Sequence, residues 1–333
     1  MLRWRLLIGA PLVLFVAFIC WVDAIAPFPG VALMPFFLVC SFFLCGEILR
    51  LLNAGGVFPR RSTVYVGVIG TILLSWISSA ISTPHIGRLE LATAESARHV
   101  EDVEVSELAE SQIGEVVAQA YDTTEEWRVA TYGCFHVLLA IAAGVLIAFV
   151  GEMFRYRQPG GSLINLGGAV FAIVYIGMLG AFMALLRVSY GLMAVISMVF
   201  VTKMCDIGAY TVGRLVGRHK MAPYLSPGKT IEGGIGGLAF SVLAAWISTQ
   251  FLFPLATGRP SETTWIGIVV YGVVVGFVGA LGDLAESLIK RDVMRKDSGL
   301  HVPGFGGFLD IFDSLLLAAP VALGLWAFHI IKM

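Results

Sequence analysis

Long apolar runs alternate with polar connections along most of the chain. Nine runs approach the roughly 20 residues that a helix needs to cross the hydrocarbon layer. They cover residues 6–26, 31–52, 64–82, 132–151, 163–186, 188–206, 234–256, 264–284 and 308–331. Because lipid offers the backbone no hydrogen-bond partners, and because the runs lack the alternating pattern of barrel strands, they predict helices. The pattern therefore predicts an all-α, polytopic integral membrane protein with about nine transmembrane helices.

The composition agrees with a membrane protein: 58% of the residues are hydrophobic, only 14% are charged, and the mean hydropathy is +0.86. Positive residues are concentrated in every second connection between runs. They are Arg3, Arg5, Arg50, Arg60, Arg61, Arg155, Arg157, Lys203, Arg214, Arg218, Lys220, Lys229, Lys290, Arg291, Arg295 and Lys296. The positive-inside rule then predicts that the N-terminus and the loops 207–233 and 285–307 are cytoplasmic. We expect a bacterial inner (cell) membrane location and no nucleic-acid partner.

The connection at residues 85–130 differs from the others because it is long and acidic. We interpret it as a solvated external insert, with a cation-binding or partner-binding role as the alternative. The opening run is expected to be a span, although the small residues Ala24 and Ala26 also fit a signal-peptide cleavage site. The five cysteines lie in or at the ends of apolar runs without metal-ligand spacing, which predicts packing roles.

A first group of candidate residues surrounds the sixth run and the loop after it. Asp206, Tyr210 and Arg214 recur every four residues, so a helix would align them on one face. Residues 226–230 read SPGKT, but this is not a P-loop, because Pro223 replaces the required glycine and no strand is predicted before it. A turn with a lysine and hydroxyl groups still suits phosphate oxygens. The candidate substrate-binding residues here are Asp206, Tyr210, Arg214, Ser226, Lys229, Thr230 and Glu232.

A second group lies where the eighth run ends and the ninth begins. Helical spacing places Asp283 with Glu286, and Asp310 with Asp313, on common faces. Carboxylates gathered in a low-dielectric site favour a hard cation such as Mg²⁺. Lipid phosphates lie at the same membrane depth, so a membrane-embedded phosphoryl-transfer enzyme acting on a lipid is the main hypothesis, and a transporter the alternative. The acids Asp23, Glu47 and Glu152 also lie at run ends, where we expect them to reach water.

At these residues the sequence resembles the phosphatidate cytidylyltransferases, also called CDP-diacylglycerol synthases. The family signature has the form SxxKRxxxKDxGxxxPGHGGxxDRxD, and residues 287–313 read SLIKRDVMRKDSGLHVPGFGGFLDIFD. The upstream motifs DxxAYxxGRxxG and SPxKTxEG match residues 206–217 and 226–233. The resemblance is specific from about 203 to 314 and architectural before that. Two positions depart from the signature, since Phe305 replaces the histidine of HGG and Ile311 the arginine of DRxD.

The resemblance implies that CTP and phosphatidate react to give CDP-diacylglycerol and pyrophosphate, with Mg²⁺ and room for a second cation. It also suggests a homodimer in contact with membrane lipid. Residues 187–333 would form the catalytic transmembrane region and residues 1–186 the N-terminal helices. We expect catalytic roles for Asp283, Lys290, Arg291 and Asp310. We expect Asp283 and Asp310 to bind the metal directly, and Asp313 or Glu286 either to bind it as well or to lie next to its ligands. Three more residues are predicted to bind substrate: Ser287, Lys296 and Asp297.

Other classes stay open at this stage. A CTP-dependent polyprenol or phytol kinase would transfer a γ-phosphoryl group instead of the cytidylyl group. The CDP-alcohol phosphotransferases are disfavoured because no DGxxAR-type string occurs. A transporter is disfavoured because its acids and bases should lie near the middle of its spans, whereas here they cluster at the run ends.

Overall fold

The computed structural model describes residues 2–26, 30–77, 133–258, 260–299 and 306–332. The acidic segment 85–130 and Phe305 therefore lie outside the described residues. The described part is mostly helical, and six of its helices are long and apolar enough to cross a membrane. The prediction of a helical membrane protein is confirmed to this extent, whereas the count of about nine spans is not confirmed.

Helices make up nearly all of the described elements. In chain order the elements are α1 (Leu2–Ile25), α2 (Leu33–Ala54), α3 (Arg61–Ile77), α4 (Gly133–Arg155), α5 (Ser162–Val216), β1 (Lys220–Ala222), β2 (Ser226–Thr230), α6 (Ile231–Thr257), α7 (Trp265–Asp292) and α8 (Leu309–Ala327). Threonines cap the N-termini of α6 and α7. The hydroxyls of Thr230 and Thr264 accept hydrogen bonds from the backbone N–H groups of Gly233 and Gly267, each at 3.1 Å.

Helix α5 is too long to be one straight crossing. At about 1.5 Å per residue, its 55 residues would extend about 80 Å, against a hydrocarbon layer of about 30 Å. The helix is interrupted at Gly191, where φ is 81° and ψ is −179°, a conformation that is readily available only to glycine. The chain therefore changes direction at Gly191, and α5 consists of two arms.

Four connections lie at one end of the bundle, which we call the site face. They are residues 55–60, 156–161, 217–230 and the segment that begins at 293. The contacts that join them are Gly55 with Val293, the Phe58 N–H with the Asn165 side chain (2.8 Å), and the Arg291 side chain with the Leu225 carbonyl (3.2 Å). The sequence concentrates its positive residues in these connections and predicts that they lie on one side of the membrane. The contacts between them agree with their lying at one end of the bundle.

The opposite end of the bundle holds a buried ion pair. The Arg187 guanidinium lies 2.6 Å from the Asp23 carboxylate, which also accepts hydrogen bonds from the backbone N–H groups of Ala32 and Leu33. Asp23 is only 1% exposed, so the expectation that it reaches water is wrong. The carboxylate instead joins the end of α1 to the start of α2 and to the first arm of α5.

Helix α8 lies between two apolar clusters. On one side Leu315 and Leu323 belong to a cluster with α6, α7 and both arms of α5. On the other side Leu309 and Leu316 pack in a cluster with α2, α3 and the first arm of α5. Cys40, Cys45 and Cys205 are buried, in agreement with the packing role predicted for the cysteines. The acids of α8 are therefore held by packing on both sides of the helix.

Small residues allow α5, α6 and α7 to approach closely. A Cβ atom at Gly237 of α6 would lie 2.9 Å from the Cys205 carbonyl oxygen of α5, and one at Gly272 of α7 would lie 2.6 Å from the Val242 Cα of α6. Membrane helices often use glycine for such close packing. The consequence here is that polar groups at the ends of these helices come within reach of one another.

The hairpin of β1 and β2 was not predicted. Lys220 pairs with Thr230 and Ala222 with Ser226, in antiparallel register. The expectation that no strand precedes the SPGKT stretch is therefore wrong; the strands have three and five residues and lack an alternating apolar pattern. The stretch is still not a P-loop, because Gly228 lies within β2 and not in a loop between a strand and a helix.

Candidate active site

Three carboxylates from two helices meet at the site face. One oxygen from each of Asp283, Glu286 and Asp313 lies within 4.8 Å of the others. Asp283 and Glu286 are one turn apart on α7, and Asp313 lies on the facing side of α8. The helices can approach this closely because of Gly282, where a Cβ atom would lie 2.5 Å from the Asp313 carbonyl oxygen. We call these three residues the carboxylate group.

Two lysines pair with members of the carboxylate group. The Lys229 ammonium of β2 lies 2.8 Å from Asp283, which connects the hairpin to α7. The Lys290 ammonium lies 2.8 Å from Glu286, one turn earlier on the same helix. The sequence predicts Lys229 as a substrate-binding residue and Lys290 as a catalytic residue, and the structure brings both lysines to the acids.

A third lysine, Lys203 of α5, was not among the predicted site residues. Its ammonium donates to the Ser314 hydroxyl (2.8 Å) and to the Ile311 carbonyl (3.0 Å), and lies 3.4 Å from Asp206. Ile311 is the position at which the family signature has an arginine. Lys203 therefore places a positive charge beside the start of α8, although the arginine is absent. Its helical spacing of three from Asp206 is the signal that could have identified it.

The balance of charge favours an additional cation. Five carboxylates and three ammonium groups belong to the carboxylate group or to the ion pairs beside it, so these eight side chains together carry two net formal negative charges. They are Asp206, Asp283, Glu286, Asp310 and Asp313, with Lys203, Lys229 and Lys290. Glu286 is 1% exposed, and its Oε1 atom is buried without a hydrogen-bond partner. A buried carboxylate oxygen without a partner is costly, so the residues present fit a hard divalent ion held by the carboxylate group.

Asp310 lies beside the carboxylate group but has a different environment. Its Oδ1 atom accepts from Lys290 (2.5 Å), and its Oδ2 atom accepts from the Ser298 hydroxyl (2.8 Å) and the Gly307 N–H (2.7 Å). Both oxygens are thus used by protein donors. Asp310 holds Lys290 and the segments on either side of residues 300–305. Its direct contact with a metal ion, which the sequence predicts, stays a prediction.

Glu47 of α2 is a part of the site that the sequence missed. It is fully buried and accepts hydrogen bonds from the Ser298 hydroxyl (3.1 Å) and from the N–H groups of Phe308 (3.0 Å) and Leu309 (2.8 Å). The expectation that it reaches water is therefore wrong. A lone acid in an apolar 22-residue helix was the available signal, but its partners are about 250 positions away along the chain.

Two predicted substrate-binding residues stabilise the hairpin. Thr230 caps the N-terminus of α6, and it packs so closely on Gly217 that a Cβ atom at Gly217 would lie 2.5 Å from the threonine hydroxyl oxygen. Glu232 accepts from the N–H groups of Arg218 (3.1 Å) and His219 (3.2 Å) and pairs with the His219 ring (2.6 Å). These contacts hold the hairpin against the ends of α5 and α6, so that Lys229 reaches α7. A direct role in substrate binding stays a prediction for both residues.

The remaining predicted residues are divided between buried and exposed positions. Ser287 is buried beside Glu286, whereas the Tyr210 hydroxyl and the Arg214 guanidinium are exposed and hydrogen-bonded to each other at 2.9 Å. Arg291 binds the Leu225 carbonyl of the hairpin. Ser226 is half-buried, and Lys296 and Asp297 are exposed. None of the hydrogen bonds or ion pairs among the described residues joins the side chain of one of these predicted residues to the carboxylate group.

The fold and site together define a polytopic helical membrane protein with an acid–lysine site at one end of its bundle. A family model described as the cytidylyltransferase family matches residues 4–329, and the chain belongs to this family. The match covers almost the whole chain, including the N-terminal helices where the sequence motifs are absent.

Curated proteins are also similar to the chain. A phosphatidate cytidylyltransferase of Mycobacterium bovis is 32% identical over 212 residues, covering 60% of this chain and 66% of the relative. One of Staphylococcus saprophyticus is 36% identical over 162 residues, covering 48% and 58%. A protein of Escherichia coli K12 named uncharacterized protein YnbB is 34% identical over 199 residues, covering 57% and 63%. The chain thus spans about three-fifths of the length of the curated relatives it matches.

Proposed function

We propose that the protein transfers the cytidylyl group of CTP to phosphatidate, forming CDP-diacylglycerol and pyrophosphate. The observation that carries the proposal is the carboxylate group with its paired lysines at one end of a membrane-embedded bundle, in a chain of the cytidylyltransferase family. The relatives named phosphatidate cytidylyltransferase supply the lipid substrate class.

In this reaction an oxygen of the phosphatidate phosphate forms a bond to the α-phosphorus of CTP. The bond from that phosphorus to the bridging oxygen of the β-phosphate breaks, and pyrophosphate leaves with the electron pair. A phosphate monoester is already anionic near neutral pH, so no strong general base is needed. Positioning the two substrates and neutralising their charge then account for most of the catalysis.

The residues of the site have distinct roles in the proposal. Lys229 binds CTP phosphates, because the short hairpin presents its ammonium to the acids of α7. Lys203 and Lys290 reduce the repulsion between the substrate phosphates and the surrounding carboxylates. Asp310 positions Lys290, and Glu47 fixes the segment that carries Ser298. Additional contacts with the substrates are assigned to Ser226, Ser287, Arg291, Lys296 and Asp297.

Mg²⁺ is the proposed cofactor, and Asp283, Glu286 and Asp313 would hold it. When bound, the ion would neutralise charge on the phosphoryl oxygens of CTP. This assignment differs from the sequence prediction in giving Asp313 and Glu286 the direct contacts expected for Asp310. It is supported by the buried, unpartnered Glu286 oxygen and by the occupied oxygens of Asp310.

The finer features predicted from the sequence belong to the same proposal. We place the site face on the cytoplasmic side of a bacterial inner membrane, because the basic connections lie there. The homodimer and the division of the chain at residue 187 rest on the family resemblance and the distribution of motifs.

The test is product analysis with detergent-solubilised protein given CTP, phosphatidate and Mg²⁺. We expect equal amounts of pyrophosphate and CDP-lipid, and loss of both in an Asp283→Asn variant. The matched control is Glu152→Gln, which changes an acid of the site face outside the carboxylate group. Phosphorylated lipid with CDP as the other product would indicate a kinase, and absence of product in folded protein would refute the proposal.

A further inference from the structure

A second polar site lies on the site face, away from the carboxylate group. A cavity of about 490 Å³ opens between the α2–α3 connection and the end of α4, and its lining includes Arg60, Arg61, Arg155, Phe58 and Phe154. The volume is in the range of small-molecule sites in proteins. Three arginines from two separate segments of the chain thus converge on one cavity.

The arginines are available for an external anion. Among the described residues, none of the three guanidinium groups forms an ion pair with a carboxylate. The walls of the cavity are also fixed in place. The Arg155 guanidinium donates to the Phe58 carbonyl, the Phe58 N–H donates to Asn165 (2.8 Å), and the Arg60 carbonyl accepts from the Thr63 hydroxyl (2.7 Å). Of the three guanidinium groups, that of Arg155 is held by a described hydrogen bond. Guanidinium groups suit the oxygens of a phosphate, because their planar set of donors matches phosphate geometry.

An apolar groove continues from the cavity between α3 and α4. It has a volume of about 460 Å³, shares Arg60 and Phe154 with the cavity, and is lined further along by Val66, Leu146 and Val150. Leu146 lies nine residues before the end of α4 at Arg155, which corresponds to about 13 Å along the helix axis. The groove therefore extends from the level of the arginines toward the middle of the membrane.

We propose that this composite site binds an anionic glycerophospholipid. The lipid phosphate occupies the arginine-lined cavity, and one acyl chain lies in the groove between α3 and α4. A free phosphate ion could contact the arginines, but it has no acyl chain that could occupy the groove. The arginines of the cavity are distinct from the residues proposed for catalysis, so the inference does not depend on the proposed function.

The test measures ligand binding to the purified full-length chain in a non-ionic detergent. Phosphatidylglycerol, phosphatidylcholine and inorganic phosphate are titrated separately, with thermal unfolding and native mass spectrometry as readouts. We expect stabilisation by phosphatidylglycerol that exceeds the effect of the other two. Since an arginine near an anionic lipid contributes a free energy equivalent to about fivefold in affinity, Arg60→Gln and Arg61→Gln together should weaken binding about twenty-fivefold.

Two further variants make the test specific. Arg157→Gln changes an exposed arginine of the same face that does not line the cavity, and it should leave binding unchanged. Val66→Trp obstructs the groove without changing charge, and it should weaken phosphatidylglycerol binding but leave any binding of inorganic phosphate unchanged. If the double variant fails to fold, each single variant should show its fivefold loss. The proposal would be overturned if the Arg60 and Arg61 variants bound phosphatidylglycerol as tightly as the unmodified protein does. It would also be overturned if inorganic phosphate stabilised the protein as much as the lipid does.

Discussion

Replacing Glu47 by glutamine tests whether a buried acid of the N-terminal half positions the site. In the structure Oε1 of Glu47 accepts from the Phe308 N–H at 3.0 Å. Oε2 accepts from the Leu309 N–H at 2.8 Å and from the Ser298 hydroxyl at 3.1 Å. Glutamine has nearly the same shape, so the substitution changes hydrogen bonding and charge with little change in packing.

The expected loss of stability in Glu47→Gln follows from the number of hydrogen-bond donors that surround the carboxylate. An amide offers one acceptor oxygen, and in either orientation its NH₂ group faces a backbone N–H of Phe308 or Leu309. A buried donor left without a partner costs about 1–3 kcal/mol, and changing a charged hydrogen bond to a neutral one costs about 1 kcal/mol more. We therefore expect the start of α8 to be destabilised by about 2–4 kcal/mol, the range of the two contributions combined.

The expected effect on turnover follows from the contacts that Ser298 and Gly307, next to the Glu47 carboxylate, make with Asp310. Ser298 and Gly307 donate to Asp310, which in turn holds Lys290. A misplacement of about 1 Å in a catalytic arrangement can lower the rate about a hundredfold. We expect Glu47→Gln to lower kcat between about tenfold and a hundredfold, with a smaller change in the KM for CTP, because Lys229 belongs to a different segment.

The assay is CDP-lipid formation per folded molecule, measured well below the unfolding midpoint of each variant in detergent. The matched control is Glu152→Gln, since Glu152 is half-buried at the same face and makes one long hydrogen bond of 3.4 Å to Asn165. It should stay within about twofold of the unmodified protein. Normal kcat in folded Glu47→Gln protein would refute the positioning role, even if its thermal stability fell.

Three other substitutions test separate parts of the structure. Asp313→Asn should lower turnover at least about a hundredfold and remove thermal stabilisation by Mg²⁺, because it removes one carboxylate of the group; an unchanged response in a Mg²⁺ titration would contradict the metal assignment. Lys229→Met should raise the KM for CTP by at least about tenfold, since a hydrogen bond to a charged group contributes about 1.5–3 kcal/mol; steady-state kinetics with an unchanged KM would exclude Lys229 from nucleotide binding. Arg187→Met should destabilise the protein by about 3–5 kcal/mol, because Asp23 is left buried without its partner; in denaturant unfolding, adding Asp23→Asn should recover most of the loss, and equal loss in single and double variants would contradict the ion-pair argument.

The motifs predict acids that the structure brings together at the candidate site, but they do not show how the environments of those acids differ. Asp310 and Asp313 are three residues apart on one helix face, so spacing alone makes both of them candidate metal ligands. The difference arises from their neighbours. Ser298 and Gly307 donate to Asp310, whereas Asp313 lies against Gly282 of α7, where no side chain keeps the helices apart.

The sequence by itself determined the helical membrane class, the face on which the basic connections gather and the residues around which the site forms. These features depend on local hydropathy and on short motifs, which act over one or two helical turns. Only the tertiary structure decided that Glu47 holds the segment beside Asp310, that Asp23 pairs with Arg187 and that Lys203 reaches the start of α8. These pairs lie more than 100 residues apart along the chain, and their partners are selected by how the helices pack and not by any periodicity in the sequence.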